Sequence, residues 1–221
     1  MKSFQKGNFL IKLAESKEEY DGLYRLRYFD LLLNYNVNNK NSEELDKDIY
    51  DDVCDHLIAI DINTNEVVGT YRLIKKSHLK DNLAFFTEAE FDLTPLKKYE
   101  LLEVGRAVVK KEYRDGIVIG LLWSGVIRYA VENNMEFMIG TASFHGNDLT
   151  PYESVLSYLY KNHLSPVEIR CEVNKDSYVD MSTLNCIDEE EIRKNPKHFI
   201  ARISWVFGIN GKNFIKTMLK L

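Results

Sequence analysis

The stretch Leu101-Leu-Glu-Val-Gly-Arg-Ala-Val-Val-Lys-Lys-Glu-Tyr-Arg-Asp-Gly116 sets a carboxylate, Glu103, three residues before a guanidinium, Arg106. In a regular strand neighbouring side chains alternate between faces, so these two would point apart. A bulge adds a residue and turns both to one face, and Gly105 between them suits one. It also leaves backbone N–H groups free to grip a ligand, including an oxygen that gains negative charge during a reaction. An ion pair at a sheet edge fits the same spacing without chemistry. Just downstream, Tyr113-Arg114-Asp115-Gly116 leads into an apolar segment. Arg114 and Gly116 ahead of a helix N-terminus would favour an anion, because free N–H groups and the helix dipole point there. A plain strand-to-helix turn has the same residues.

Other groups carry less. Ser143, His145 and Asp148 invite a hydrolase reading. The nucleophile elbow Gly-x-Ser-x-Gly is missing, however, and three residues so near in sequence rarely form a triad. His78, His163 and His198 lack metal-ligand spacing, and Cys54, Cys171 and Cys186 form no C-x-x-C pair. Neither a zinc site nor a disulfide framework is expected, and a reducing, cytoplasmic location is.

These residues need elements to hold them. Hydrophobic residues make up 45% of 221, enough for one core. The pattern predicts strands at 8–13, 56–61, 66–74, 101–109, 135–142 and 166–173 and helices at 17–33, 116–133 and 151–162. The strands at 56–61 and 66–74 form a hairpin at Asn63-Thr64-Asn65, and 34–54 is a long Asn- and Asp-rich loop. The order is that of a mixed α/β sheet. A single domain over 1–221 is expected, with 175–221 as a less regular extension. Neither a signal peptide nor a run long enough to span a bilayer is visible. Of the 29 basic residues, seven lie after Glu191 with no acid among them, interleaved with Trp205, Phe207, Phe214 and other apolar groups. That segment suits peripheral contact with an anionic membrane, or a last core strand with solvated lysines. The net charge of −5 and the absence of a recognition motif speak against nucleic acid.

Seven short stretches then recur in family order. They are Leu26-Arg27-Tyr28-Phe29, Asp48-Ile-Tyr-Asp51-Asp-Val-Cys-Asp55-His56, Gly69-Thr-Tyr-Arg72-Leu73, Glu90-Phe-Asp-Leu93, Leu102-Glu-Val-Gly-Arg106, Leu121-Leu-Trp123 and Gly140-Thr-Ala-Ser-Phe144. Over roughly residues 20–170 the chain resembles the GNAT superfamily. Within it, the chain is similar to the acyl-carrier-dependent N-acyltransferases that include ornithine-lipid enzymes. Acyl-homoserine-lactone synthases and N-acyl amino acid synthases look like relatives. The resemblance implies a mixed, mostly antiparallel sheet flanked by helices. It implies transfer of a fatty acyl chain from a phosphopantetheine thioester, on acyl carrier protein or coenzyme A, to the amine of an amino acid such as ornithine. An N-acyl lactone synthase, or a module that only binds carrier protein or membrane, is the alternative.

The resemblance also implies roles. Glu103 takes the proton of the attacking amine, beside Arg106, and an N–H near Val108 meets the oxyanion. Arg27, Asp48, Asp51 and Arg72 shape the acceptor pocket, where acids suit a cationic amine and arginine a carboxylate. A solvated acidic loop and structural ion pairs would account for the same four residues without a pocket. Arg114 and Gly116 face the donor, Ser143 donates to the thioester or simply packs, and Asp55-His56 orders the loop. Three departures stand out. The phosphate loop Arg/Gln-x-x-Gly-x-Gly/Ala is absent, since Asp115 follows Arg114, which favours a carrier-protein donor. Thr141 replaces the family's usual cysteine, so no obligatory thiol is expected. The further C-terminal segment of ornithine-lipid enzymes is not recognisable after Asn174.

Overall fold

A computed structural model describes residues 1–33, 41–80, 83–141, 150–177 and 207–208. Among these, residues 1–85, 100–138 and 207–208 form one compact unit, and 86–99 and 139–177 another.

The first unit is built on one sheet. Its strands are β1 (Phe4–Lys6), β2 (Phe9–Leu13), β3 (Asp55–Asp61), β4 (Glu66–Lys75), β6 (Leu101–Val109), β7 (Phe137–Ile139) and β9 (Phe207–Gly208). They lie side by side in the order β1-β2-β3-β4-β6-β7-β9. Each pairing from β1 to β6 is antiparallel, as is that of β7 with β9. The sheet is mostly antiparallel and flanked by helices, as the motifs implied.

Both faces of the central strands are buried, so β3 reads as a continuous apolar run rather than an alternating one. Its odd-numbered residues Leu57 and Ala59 pack with Tyr71 and Leu73 against helix α2 (Ile117–Glu132). Its even-numbered Ile58 and Ile60 pack with Leu23 and Tyr24 of helix α1 (Lys17–Arg27). Two glycines let α2 approach closely. A Cβ on Gly69 would lie 2.9 Å from Leu122 and Val118, and one on Gly125 2.9 Å from Leu57.

Helix α1 starts at a capping box. Ser16 Oγ accepts the Glu19 N–H and the Glu19 carboxylate accepts the Ser16 N–H, which satisfies orphan donors at both levels. The pattern predicted one helix over 17–33. The α-helix instead ends at Arg27 and continues as a π-helical turn, Tyr28–Leu32. Apolar spacing carries on through both, so periodicity alone does not reveal the change in winding.

In the second unit, β5 (Phe91–Asp92) pairs antiparallel with β8 (Glu172–Val173), and helix α3 spans Glu153–Asn162. The Asn174 N–H donates to Glu90 O at 2.7 Å, extending that pairing. A full strand over 166–173 does not form. Pro166 opens a 3-10 turn, Val167–Ile169, and only Glu172–Val173 finds a strand partner. Val167 is 75% exposed, so its β-branched side chain has no face to pack on there. The short β1 went unread because Phe4-Gln-Lys offers one apolar residue in three.

Candidate functional site

The loop before β3 is organised by its own aspartates. Asp48 Oδ1 accepts the Tyr50 N–H at 2.9 Å, and Asp51 Oδ2 accepts the Asp48 N–H at 2.8 Å. Such side-chain turns are what Asp does best outside regular structure. The Asp46 N–H donates to Tyr24 O of α1 at 3.2 Å, which seats the loop on that helix. Three carboxylates, of Asp46, Asp48 and Asp51, thereby face the sheet.

Three guanidiniums meet them. Arg27, at the end of α1 and fully buried, donates Nη1 and Nη2 to the two Asp51 oxygens at 2.8 and 3.0 Å and Nε to Asp46 Oδ2 at 3.0 Å. Arg72 of β4 donates Nη1 to both Asp48 oxygens at 2.7 and 2.8 Å. Arg106 of β6 sends Nη2 to Asp48 at 3.0 Å and Nη1 to Asp46 at 3.4 Å. Three cations and three anions balance, which is how charge survives burial. Burial pushes the Asp51 carboxyl up, but the Arg27 hydrogen bonds and charge outweigh it and hold it below its ordinary value. For Asp48 burial also acts upward, and the hydrogen bonds and charge of Arg72, with Arg106, bring it down to about 2.

The network is graded in access. Asp51 and Arg27 are shut away, whereas the side chains of Asp48 and Arg106 are 25% and 24% exposed. The Asp48–Arg106 pair is therefore its solvent-facing rim.

A bulge brings Arg106 there. Gly105 lies opposite Arg72 and Val108 opposite Thr70, so Arg106 and Ala107 together face the single residue Tyr71. Arg106, not Gly105, takes the left-handed backbone, with φ +49°. A Cβ at Gly105 would meet nothing within 4 Å. The bulge expected from Gly105 thus exists one residue later. Glu103, 3% exposed and opposite Ile74, is two residues along from Gly105 and so shares the α1-facing side with Arg72.

At the other end of β6, Arg114 donates Nε to Val109 O at 2.8 Å and pairs through Nη2 with Asp30 at 3.0 Å. Gly116, φ +98°, precedes α2, and the Asp115 carboxylate accepts the Ile117 N–H at 2.9 Å. A protein carboxylate thus takes one of the donors a phosphate would seek. Ser143 lies outside the described residues.

Two features escaped the sequence reading. One is Asp46, whose signal was its place two residues before Asp48 in an Asp-rich loop. The other is the trio of buried Asp51 and His56 with half-buried Cys54, whose potential ligand atoms lie within 4.8 Å of one another. Both Asp51 oxygens already accept from Arg27, and burial raises the Cys54 thiol to about 12, so this donor set favours arginine over a metal cation. His56, edge-on to the rings of Tyr20 and Tyr24, is pushed down to about 4, first by burial.

The family model described as an acetyltransferase (GNAT) domain matches residues 24–124, a span that holds every member of the network. A model of the RmlD substrate binding domain matches 185–221, of which only Phe207–Gly208 are described. An L-ornithine N(alpha)-acyltransferase of Rhodobacter capsulatus is 30% identical over 193 residues, 82% of this chain and 74% of that one. Its counterpart from Brucella abortus is 32% identical over 168 residues, 71% of this chain and 60% of its own length. The solved structure of the AHL synthase LasI aligns with TM-score 0.45 at 12% identity, covering 61% of this chain and 72% of that one, too distant to bear on activity.

Proposed function

This chain belongs to the GNAT-type N-acyltransferases related to the L-ornithine N(alpha)-acyltransferases, and we propose that it moves a fatty acyl chain from acyl carrier protein onto the α-amine of ornithine or a similar amino acid. The observation that carries the acceptor is the Asp48–Arg106 pair, partly open to solvent at the rim of the network. An amino acid offers the complementary charges. Its carboxylate replaces Asp48 on Arg106, and its side-chain ammonium takes Asp48, leaving the α-amine to react. Arg27, Asp51 and Arg72 hold that pair from behind.

In the reaction the neutral amine attacks the thioester carbon. Glu103 takes the amine proton, directly or through a water, and a backbone N–H of the bulged stretch near Val108 stabilises the oxyanion. The carbonyl re-forms as the carbon–sulfur bond breaks, and the departing phosphopantetheine sulfur takes a proton. Ser143 donates to the thioester in this reading. Arg114 and the turn at Gly116 meet the donor's phosphate. A carrier-protein arm brings a single phosphate, which suits a turn where Asp115 and Asp30 already answer part of the positive potential. No helix among the described residues is long and apolar enough to cross a membrane. We assign the basic segment after Glu191 a peripheral role in passing the lipid product to an anionic bilayer.

Purified protein, acyl carrier protein charged with a long-chain acyl group, and ornithine, read by mass spectrometry, should yield N-acylornithine. Glu103→Gln should keep the fold and lower kcat by roughly 10²–10⁴-fold, the range of a lost general base. A folded variant with full activity removes Glu103 from the mechanism, and no acylation of any amino acid by the native chain overturns the reading.

A further inference from the structure

We infer that Asp46 is a positioning residue: through Arg106 it holds the bulged stretch of β6 in the backbone shape that acyl transfer uses. This rests on the reading of β6 as the reactive strand. Arg106 sits at φ +49°, a conformation that costs an L-residue and that glycine takes freely. Glycine stands next door, at 105, without a left-handed φ. Something bound to the Arg106 side chain must offset the strain.

Two carboxylates do so. Asp48 holds Nη2 at 3.0 Å and Asp46 holds Nη1 at 3.4 Å. Their situations differ. Asp48 stands at the rim, where an acceptor ammonium competes for it. Asp46 is 6% exposed, too enclosed to meet a substrate. Its Oδ2 also accepts from Arg27 Nε at 3.0 Å, while Arg27 grips Asp51 with its other edge. Its backbone N–H is tied to Tyr24 O at 3.2 Å. One oxygen thus links the bulge of β6 to the buried end of α1. When an acceptor engages Asp48, the Asp46 link remains and keeps Arg106 and the adjoining backbone in register.

The test is Asp46→Asn in the full chain, with two readouts. Hydrogen exchange followed by mass spectrometry should show amides of peptide 101–109 exchanging at least about tenfold faster, with peptide 118–130 of α2 unchanged. Steady-state kinetics should show kcat down by roughly 10- to 100-fold with the acceptor KM within about twofold, as for misplaced groups. Asp46→Glu, which keeps the charge, should recover part of both. If Asp46→Asn does not fold, Asp46→Glu is read by the same two measures. Uniformly faster exchange, unchanged kcat, a raised KM alone, or failure of both variants to fold each overturns the proposal. Exchange is measured without substrate, so loss of the acyl-transfer reading would leave the link between Asp46 and the bulge separately decided.

Discussion

Lowering the pH from 8 to 5 should destabilise this protein through His56 alone by about 2 kcal/mol. The ring is 1% exposed, edge-on to Tyr20 and Tyr24, with the Arg27 and Arg72 charges nearby and Asp51 at 3.6 Å from Nε2. Burial is the largest cause that pushes it down to about 4, from 6.5. The unfolded chain therefore binds a proton near pH 6.5 that the folded chain refuses until about pH 4. The stabilisation is complete above the unfolded value and is lost as pH falls through that window. A shift of this size is worth about 3 kcal/mol in full, of which about 2 kcal/mol is gone at pH 5. For a chain of this length that is roughly 4–8 °C in Tm. Asp48 and Asp51, whose carboxyls are held low, lose their stabilisation only at more acid pH, outside this range. His78 is also lowered by burial and adds a slope of the same sign, so the comparison must be with His56→Phe. Urea unfolding of both proteins at pH 8, 7, 6 and 5 gives the difference directly. The native chain should lose about 2 kcal/mol more than the variant. Parallel pH profiles would refute the reasoning, because the ring would then be charged in the fold or solvated.

Three further outcomes follow from packing, burial and charge. Gly125→Ala should destabilise by about 1–2 kcal/mol, because the new methyl lies 2.9–3.1 Å from the enclosed Leu57 and Ile11. In the same helix Gly120→Ala meets nothing within 4 Å and should stabilise by up to about 1 kcal/mol, and urea unfolding separates the two signs. Cys54, raised to about 12, should alkylate with iodoacetamide at pH 8 roughly a thousandfold more slowly than an ordinary thiol, as peptide mapping with and without denaturant would reveal. The carrier-protein donor should give a higher kcat/KM than acyl-coenzyme A at low salt, with the advantage shrinking at moderate salt; equal, salt-independent values would count against it.

Much of this was legible in the chain itself. Strands β3, β4 and β6 and helix α2 announce themselves by apolar runs, hairpin turn residues and the Gly before the helix, because such local signals need no partner to be read. The order of the short motifs carried the family, since several weak matches in sequence are specific together. That Glu103 and Arg106 need a bulge to share a face followed from the pleat alone. Where the bulge sits did not. It centres on Arg106 because carboxylates from a loop some sixty residues earlier hold that side chain, a contact with no local signature. Asp46, Asp48 and Asp51 read alike in one dimension. Only the packing of the loop against α1 and β4 decides which are sealed onto arginine and which stands at the rim. The end of α1 is the same case. Its apolar stripe continues smoothly, while the winding changes to a π-helical turn right after Arg27, whose guanidinium reaches two aspartates. Local pattern determines elements because backbone and burial preferences are short-ranged. Charge partners in a buried network are chosen by three-dimensional proximity, and so only the folded chain could assign them.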